Sequence, residues 1–221
     1  MKVVFLGPPG AGKGTQARRM AEALGLCHAS TGDIFRQAIG AGTELGRTVQ
    51  EYLDSGKLVP DELTSRVVEQ MVVEQEQDYI LDGYPRTVQQ ARDLEQMLQK
   101  RGERLDGVVY FDVPEEVAIE RLTGRLVCTE CGANYHRKFM PPAEDMICDR
   151  CGGQLKVRSD SSEEVVQERL SQFTENTLPL VDFYEERDLL ERIDATATPE
   201  EVTERTEELL RQMVGPQAGC C

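Results

Sequence analysis

A glycine-rich loop, Gly7-Pro8-Pro9-Gly10-Ala11-Gly12-Lys13-Gly14-Thr15, follows the short run Lys2-Val3-Val4-Phe5-Leu6 and precedes a helical pattern through Ala17, Met20, Ala21 and Leu24. Nothing else in the chain constrains its fold as strongly. A nearly continuous apolar run of this length reads as a buried parallel strand. Strand, glycine loop and helix in that order open an α/β fold. The loop nearly matches G-x-x-x-x-G-K-[ST], except that Gly14 stands at the Ser/Thr position and Thr15 follows one residue later. Glycines let successive backbone N–H groups turn inward around an anion. The helix that follows points its positive end at the same place. Lys13 adds a point charge. The alternative is a glycine-rich turn that only starts a helix.

Further along, Tyr79-Ile80-Leu81, Val108-Val109-Tyr110-Phe111 and Arg192-Ile193-Asp194 read as strands. Helical patterns are expected over 61–76, 87–100, 114–123 with Pro114 at its start, and 199–213. A long helix is expected after Ser161 or Ser162, either of which can cap it, with Glu163 and Glu164 in its first turn. The tail GPQAGCC reads as frayed. The chain has 221 residues and a formal net charge of −15. That length suits one domain with insertions. The acidic balance argues against nonspecific binding to nucleic acid or an anionic membrane. No apolar run approaches the ~18 residues of a membrane span, and no signal-peptide pattern appears, so the chain reads as cytosolic.

Seven cysteines include the pattern Cys128-x₂-Cys131-x₁₆-Cys148-x₂-Cys151. An odd count in a cytosolic-looking chain disfavours a disulfide framework. The paired CxxC spacing is that of a structural zinc site closed by four thiolates, so the metal would not be catalytic. Iron or cobalt could occupy the same ligands. Four free thiols or a redox pair are the alternatives. The polar segment around them, about 128–155, has too little apolar content to build a core without a metal.

GPPGAGKGTQA resembles the phosphate loop of the nucleoside monophosphate kinases, adenylate kinase above all. Other segments match that family in order: Ser30-Thr31-Gly32-Asp33 with Arg36, Gly56-Lys57-Leu58-Val59-Pro60, Leu81-Asp82-Gly83-Tyr84-Pro85-Arg86-Thr87, Gln90, and Arg121-Leu122-Thr123-Gly124-Arg125. The resemblance covers residues 1 to about 200. It implies a P-loop parallel sheet flanked by helices, with a helical AMP-binding insert at 30–59 and a small zinc-bound lid of bacterial type at 124–161. The core would comprise 1–29, 60–123 and 162–221. The implied reaction is Mg·ATP + AMP ⇌ 2 ADP, carried out by a cytoplasmic monomer.

Such a transfer needs no general base, because the acceptor phosphate is already ionised. The task is to hold two polyanions together and exclude water. It calls for cations, and the resemblance supplies Lys13, Arg36, Arg86, Arg121, Arg125, Arg158 and Arg169. Lys13, Arg86, Arg121, Arg125, Arg158 and Arg169 are the expected catalytic groups. ATP would lie against Gly10, Ala11, Gly12, Lys13, Gly14, Thr15, Arg125, Asn134 and Tyr135. AMP would meet Thr31, Arg36, Lys57, Leu58, Val59, Gly83, Tyr84, Pro85, Arg86, Gln90, Arg158 and Arg169, with Thr31 and Gln90 at the adenine. Asp82 resembles the acidic residue that holds Mg²⁺ through water, and a capping or turn aspartate is its other reading. Asp33 reads first as a helix cap. His136 reads as structural.

The chain departs from the family in three places. Ser161 stands where a second carboxylate is usual after Arg158-Ser159-Asp160. Leu126 replaces a second arginine, which would lower ATP affinity. Ala197 stands where some members carry a lysine. Rival readings are a kinase for another nucleoside monophosphate, which Thr31 and Gln90 argue against, and a zinc-ribbon nucleic-acid binder. The latter would rest on Arg137, Lys138, Arg150 and Lys156, a modest basic count.

Overall fold

The computed structural model describes residues 1–74 and 77–213. In chain order the elements are β1 (Lys2–Leu6), α1 (Lys13–Leu24), β2 (Cys27–Ser30), α2 (Thr31–Gly40), α3 (Glu44–Ser55), α4 (Asp61–Glu74), β3 (Tyr79–Asp82), α5 (Val88–Lys100), β4 (Gly107–Asp112) and α6 (Glu115–Thr123). There follow β5 (Arg125–Cys128), β6 (Asn134–His136), β7 (Leu155–Val157), α7 (Glu163–Gln172), α8 (Pro179–Glu185), β8 (Leu190–Asp194) and α9 (Pro199–Met213).

The main sheet has the order β2-β3-β1-β4-β8, and every pairing is parallel. β1 explains why its sequence is nearly all apolar. Successive side chains alternate between faces, and here helices cover both. Val4 and Leu6 enter one core cluster with Leu81, Val108 and Tyr184, while Val3 and Phe5 enter the other with Ile80, Phe111 and Ala118. The edge strand β8 carries exposed Glu191 and Arg192, as suits an open edge. β1 lies between β3 and β4, whose connections leave in opposite directions. A crevice therefore opens at its carboxyl end, where the glycine loop begins.

Two further units stand on this core. α2 and α3 pack around Phe35, Val49 and Val59, with Leu63 and Val67 of α4 closing that cluster. Residues 125–157 form a three-stranded antiparallel sheet in the order β6-β5-β7, over a small core of Leu126, Cys128, Tyr135, Cys148 and Leu155.

The expected strands all join the main sheet: 2–6 has the expected bounds, 79–81 is longer by one residue, and 108–111 and 192–194 are longer by two each. The strand Cys27–Ser30 escaped the sequence reading, because four mixed residues carry no period. The long helix expected after Ser162 is interrupted. A π turn over Phe173–Thr177, with the Leu178 N–H bonded to the Phe173 carbonyl at 2.8 Å, separates α7 from α8. Pro179 is the cause: it lacks an N–H and its ring crowds the preceding turn. Ser162 occupies the α7 N-cap without a capping bond from its side chain, and the buried Ser161 hydroxyl has no partner. The end of the helix expected over 61–76 and the tail with Cys220 and Cys221 lie outside the described residues.

Candidate active site

The glycine loop is held where the sequence places it. Gly10 has φ +90°, and a Cβ there would lie 2.5 Å from the Ala118 carbonyl oxygen. No side chain fits. Gly14 faces Asp82 at the end of β3, and a Cβ on it would approach Asp82 Oδ2 at 3.0 Å. The glycine at the usual Ser/Thr position thus brings the backbone of α1 against a carboxylate. Lys13 Nζ donates to the carbonyls of Gly7 at 2.7 Å and Pro8 at 2.9 Å.

A cavity of about 610 Å³ opens above this loop. Gly10 to Thr15, Asp82, Arg121, Arg125, Asn134, Tyr135 and Ala197 line it. A second cavity, about 80 Å³, is lined by Thr31, Lys57, Leu58, Val59 and Gln90. Both cavities share Arg36, Arg86, Arg158 and Arg169. The two chambers therefore meet at a wall of four guanidinium groups.

Crowding of like charge shows in that wall and in the cations beside it. Arg125 is drawn down to about 9, by burial first and then by Arg158 and Arg169. Arg169 falls to about 10, by burial, with Asp160 opposing and Arg158 and Arg86 adding to the fall. Lys13 falls to about 7, by burial, against the pull of Asp82 and with the push of Arg86, Arg169 and Arg125. Guanidinium groups stay charged at neutral pH, so an anion would relieve the crowding.

Local partners hold each cation. Arg86 Nε donates to the Gly83 carbonyl at 2.8 Å, and the Arg86 carbonyl accepts from Thr177 Oγ1 at 2.9 Å. Asp160 pairs with Arg158 and, at 3.1 Å, with Arg169. Arg36 donates to Asp33 at 2.5 Å and Arg18 to its other oxygen at 3.0 Å. Burial alone would raise Asp33, yet Arg36 and Arg18 bring it down to about 2.

Several residues singled out in the sequence have local partners that fix where they stand. Arg121 does not join the arginine wall: it donates to the carbonyls of Ala195 at 2.8 Å and Thr196 at 3.3 Å, and its charged neighbours are Asp194 and Glu120. Tyr84 is turned into the core, where its hydroxyl donates to the Gln90 carbonyl at 3.0 Å and meets Ser65. Tyr135 spends its hydroxyl within the lid, 3.4 Å from Cys148 Sγ and accepting the Asp149 N–H at 2.8 Å. Leu126 lies in the lid core, 2% exposed, so its replacement of an arginine bears on packing there. Asp33 is not the cap of α2; Ser30 is, its Oγ accepting the Asp33 N–H at 3.3 Å. His136 is structural, its Nδ1 accepting the N–H groups of Lys138 and Phe139 at 3.0 and 3.1 Å.

Three polar neighbours escaped the sequence reading as site residues. His28 Nε2 lies 3.3 Å from Asp82 Oδ2. Asp160 gathers two arginines, and only its place in Arg-x-Asp hinted at it. Asp61 accepts from Thr87 Oγ1 at 2.6 Å and from Gln90 Nε2 at 2.8 Å, with no signal beyond an acidic helix start.

The four lid cysteines bring their sulfurs within 4.8 Å of one another. Cys128 and Cys151 are 3.5 Å apart, and Cys131 and Cys148 3.6 Å. A tetrahedron of Zn–S bonds near 2.3 Å has edges of about 3.8 Å, so the set fits zinc. Cys148 is lowered to about 6, chiefly by the Tyr135 hydroxyl. Cys151 is pushed up to about 12, its Gly153 hydrogen bond outweighed by the sulfurs of Cys131 and Cys128. Four such thiolates do not ionise together without a cation. Asp82 also fits the role of an Mg²⁺ partner: it lines the cleft, and although burial raises it, the His28 hydrogen bond and Lys13 draw it down overall.

The family model described as "Adenylate kinase" matches residues 5–189. Curated relatives named adenylate kinase include a protein of Archaeoglobus fulgidus, 45% identical over 96% of this chain and 99% of that one. Another, from Moorella thermoacetica, is 50% identical over 89% of this chain and 91% of its own length. A third, from Carboxydothermus hydrogenoformans, is 48% identical over 91% and 95%. No described helix is long and apolar enough to cross a membrane. A phosphate loop, two cavities joined at an arginine wall and a four-cysteine lid agree with those matches along nearly the whole chain, and the protein belongs to the adenylate kinase family.

Proposed function

We propose that this chain catalyses Mg·ATP + AMP ⇌ 2 ADP, with ATP in the large cavity, AMP in the small one and the transferred phosphoryl group between them. The observation that carries this reading is the sharing of Arg36, Arg86, Arg158 and Arg169 by both cavities. Two polyanions can approach only where fixed cations cancel their repulsion.

In this reading the N–H groups of Gly10 to Thr15 cradle the ATP phosphates, and Lys13 leaves its carbonyl partners for them. Arg125, Arg158 and Arg169 surround the moving phosphoryl group. Arg36 and Arg86 hold the acceptor phosphate. Thr31 and Gln90 face the acceptor base, and Lys57, Leu58 and Val59 close around it. Arg121, at the rim beside Ala195 and Thr196, serves the donor nucleotide's outer part. Asn134 and Tyr135 offer backbone groups on the lid side. Gly83 and Pro85 shape the turn that aims Arg86, and Tyr84 anchors that turn in the core.

Asp82 would hold Mg²⁺ through water, and that ion supplies charge neutralisation on the donor phosphates when bound. Cys128, Cys131, Cys148 and Cys151 would hold structural Zn²⁺. The segments 30–59 and 124–161 would close over the nucleotides, exclude water and complete the arginine wall. The working unit in this reading is a monomer. Thiols kept for a metal suit a reducing cytoplasm.

The test is product analysis by chromatography with zinc-loaded protein, Mg·ATP and AMP, UMP, CMP or GMP in turn. Rapid ADP formation with AMP alone supports the reading. Turnover with another acceptor overturns the base-pocket assignment, and no turnover from folded protein overturns the reaction.

A further inference from the structure

Gln90 is 1% exposed yet lines the small cavity, and both ends of its side-chain amide already have a partner. Its Oε1 accepts the backbone N–H of Arg86 at 2.8 Å, and its Nε2 donates to Asp61 Oδ1 at 2.8 Å. An N–H can only donate and a carboxylate only accepts, so these partners dictate which way the amide faces. Reversing it would set NH₂ against N–H and oxygen against carboxylate. Asp61 is itself held. Its Oδ2 accepts from Thr87 Oγ1 at 2.6 Å, and Thr87 caps α5 by accepting the Gln90 N–H at 3.1 Å. Asp61, in the first turn of α4, does not line either cavity.

We propose that Asp61 is a specificity-determining positioning residue, which locks the Gln90 amide so that the small cavity accepts 6-aminopurine monophosphates and rejects 6-oxopurine ones. The inference rests on the reading of that cavity as the acceptor-nucleotide site. Gln90 keeps one unused N–H and one unused lone pair. A 6-aminopurine offers an acceptor at N1 and a donor at the 6-position, which complement them. A 6-oxopurine offers the reverse, a donor at N1 and an acceptor at the 6-position. A free amide would rotate to suit either base; a locked one meets the second with two like-against-like contacts. A site built around polar groups rejects a mispaired analogue more strongly than an apolar pocket does.

Initial rates with Mg·ATP, comparing AMP with inosine 5′-monophosphate (IMP), test this in the wild type and in Asp61→Asn. Asparagine can present either a donor or an acceptor to Gln90, so it releases half of the lock. The expected result is a fall of at least about tenfold in the AMP-to-IMP ratio of kcat/KM. Most of that fall should appear in KM for the acceptor, with KM for ATP unchanged. A ratio that stays within about twofold while Tm falls overturns the proposal and leaves Asp61 as a clamp between α4 and α5. A second measurement needs no variant. Purine riboside 5′-monophosphate lacks the 6-amino group and so merely loses one bond, whereas IMP reverses two. The wild type should therefore use IMP at least about tenfold less well than the deletion analogue. Equal use of the two overturns the lock. Failure of the acceptor-site reading would look different: the wild type would not turn over AMP at all, and the proposal would fall with it.

Discussion

Arg169 reaches Asp160 twice, its Nη1 lying 3.1 Å from Oδ2 and 3.2 Å from the backbone carbonyl. The same carboxylate takes Arg158, whose Nε donates to Oδ1 at 2.8 Å. One anion thus holds two mutually repelling cations side by side, at the junction between the lid and α7. Asp160→Asn keeps the shape and removes the charge. Misplacing catalytic groups by about 1 Å can cost about 100-fold in rate. We expect kcat/KM for AMP to fall by about 10- to 100-fold, more than a Tm shift of a few degrees would explain. Steady-state kinetics beside calorimetric melting decide this; equal losses of folded fraction and activity would show Asp160 to be only structural.

Stripping the metal should melt the lid before the core. The lid's own apolar cluster has only Leu126, Cys128, Tyr135, Cys148 and Leu155 buried, and two of these belong to the four-cysteine set. A polar segment with so small a core depends on its metal. After chelation, protease cleavage within 125–157 should appear while the parallel sheet still melts cooperatively. A single unchanged transition with an uncut lid would sink this expectation.

Lys13 gives the site a pH signature. It is held near 7 in the folded chain, against an ordinary value of 10.5. Between those values the unfolded chain binds the extra proton, so as far as this group contributes, stability of the nucleotide-free protein rises with pH across that window. A bound phosphate should draw the proton back. Calorimetric titration with Mg·ATP at pH 8, in buffers of different ionisation enthalpy, should show uptake of part of a proton, and Lys13→Met should abolish it. Equal apparent enthalpies in all buffers would contradict this.

Gly10→Ala should damage folding and function together. The added Cβ would sit 2.5 Å from the Ala118 carbonyl at a φ of +90°. Strain of this kind costs on the order of 1–3 kcal/mol. Denaturant unfolding should show a loss of that size. Gly132→Ala, also at positive φ but with open space around its Cβ, should cost less. Equal losses at the two positions would show that the contact with Ala118 does not matter.

Acid should act on the start of α2 late. Asp33 is held at about 2 because Arg36 and Arg18 overcome the cost of burial. Its contribution to stability is present above the ordinary carboxylate range, near 3.8, and is lost as pH falls towards 2. Asp33→Asn should therefore lower Tm at pH 6 and leave it nearly unchanged at pH 2, as read by melting across that range. A constant difference at both pH values would contradict the pairing.

What the sequence by itself determined about this protein is what nearest neighbours in the chain decide. The glycine loop, the strand before it and the helix after it were legible because backbone freedom and apolar period are local properties. The two CxxC pairs were legible because each grips from a single turn. The arginines could be named, since all but Arg169 stand in short motifs and the family resemblance supplied that one. Their relationships could not. Arg121 carries the same charge as its motif neighbour Arg125, yet it turns to Ala195 and Thr196, which only the adjacency of β8 to β4 brings near. Tyr84 lies inside a matched motif, but Ser65 on α4 draws its hydroxyl into the core. Asp61 reaches Thr87 and Gln90, 26 and 29 positions away, and Pro179 opens a π turn one helical turn before itself. Tertiary structure decided these matters because a hydrogen bond depends on direction and distance in space. The chain sets those only after the sheet order β2-β3-β1-β4-β8 has placed its helices.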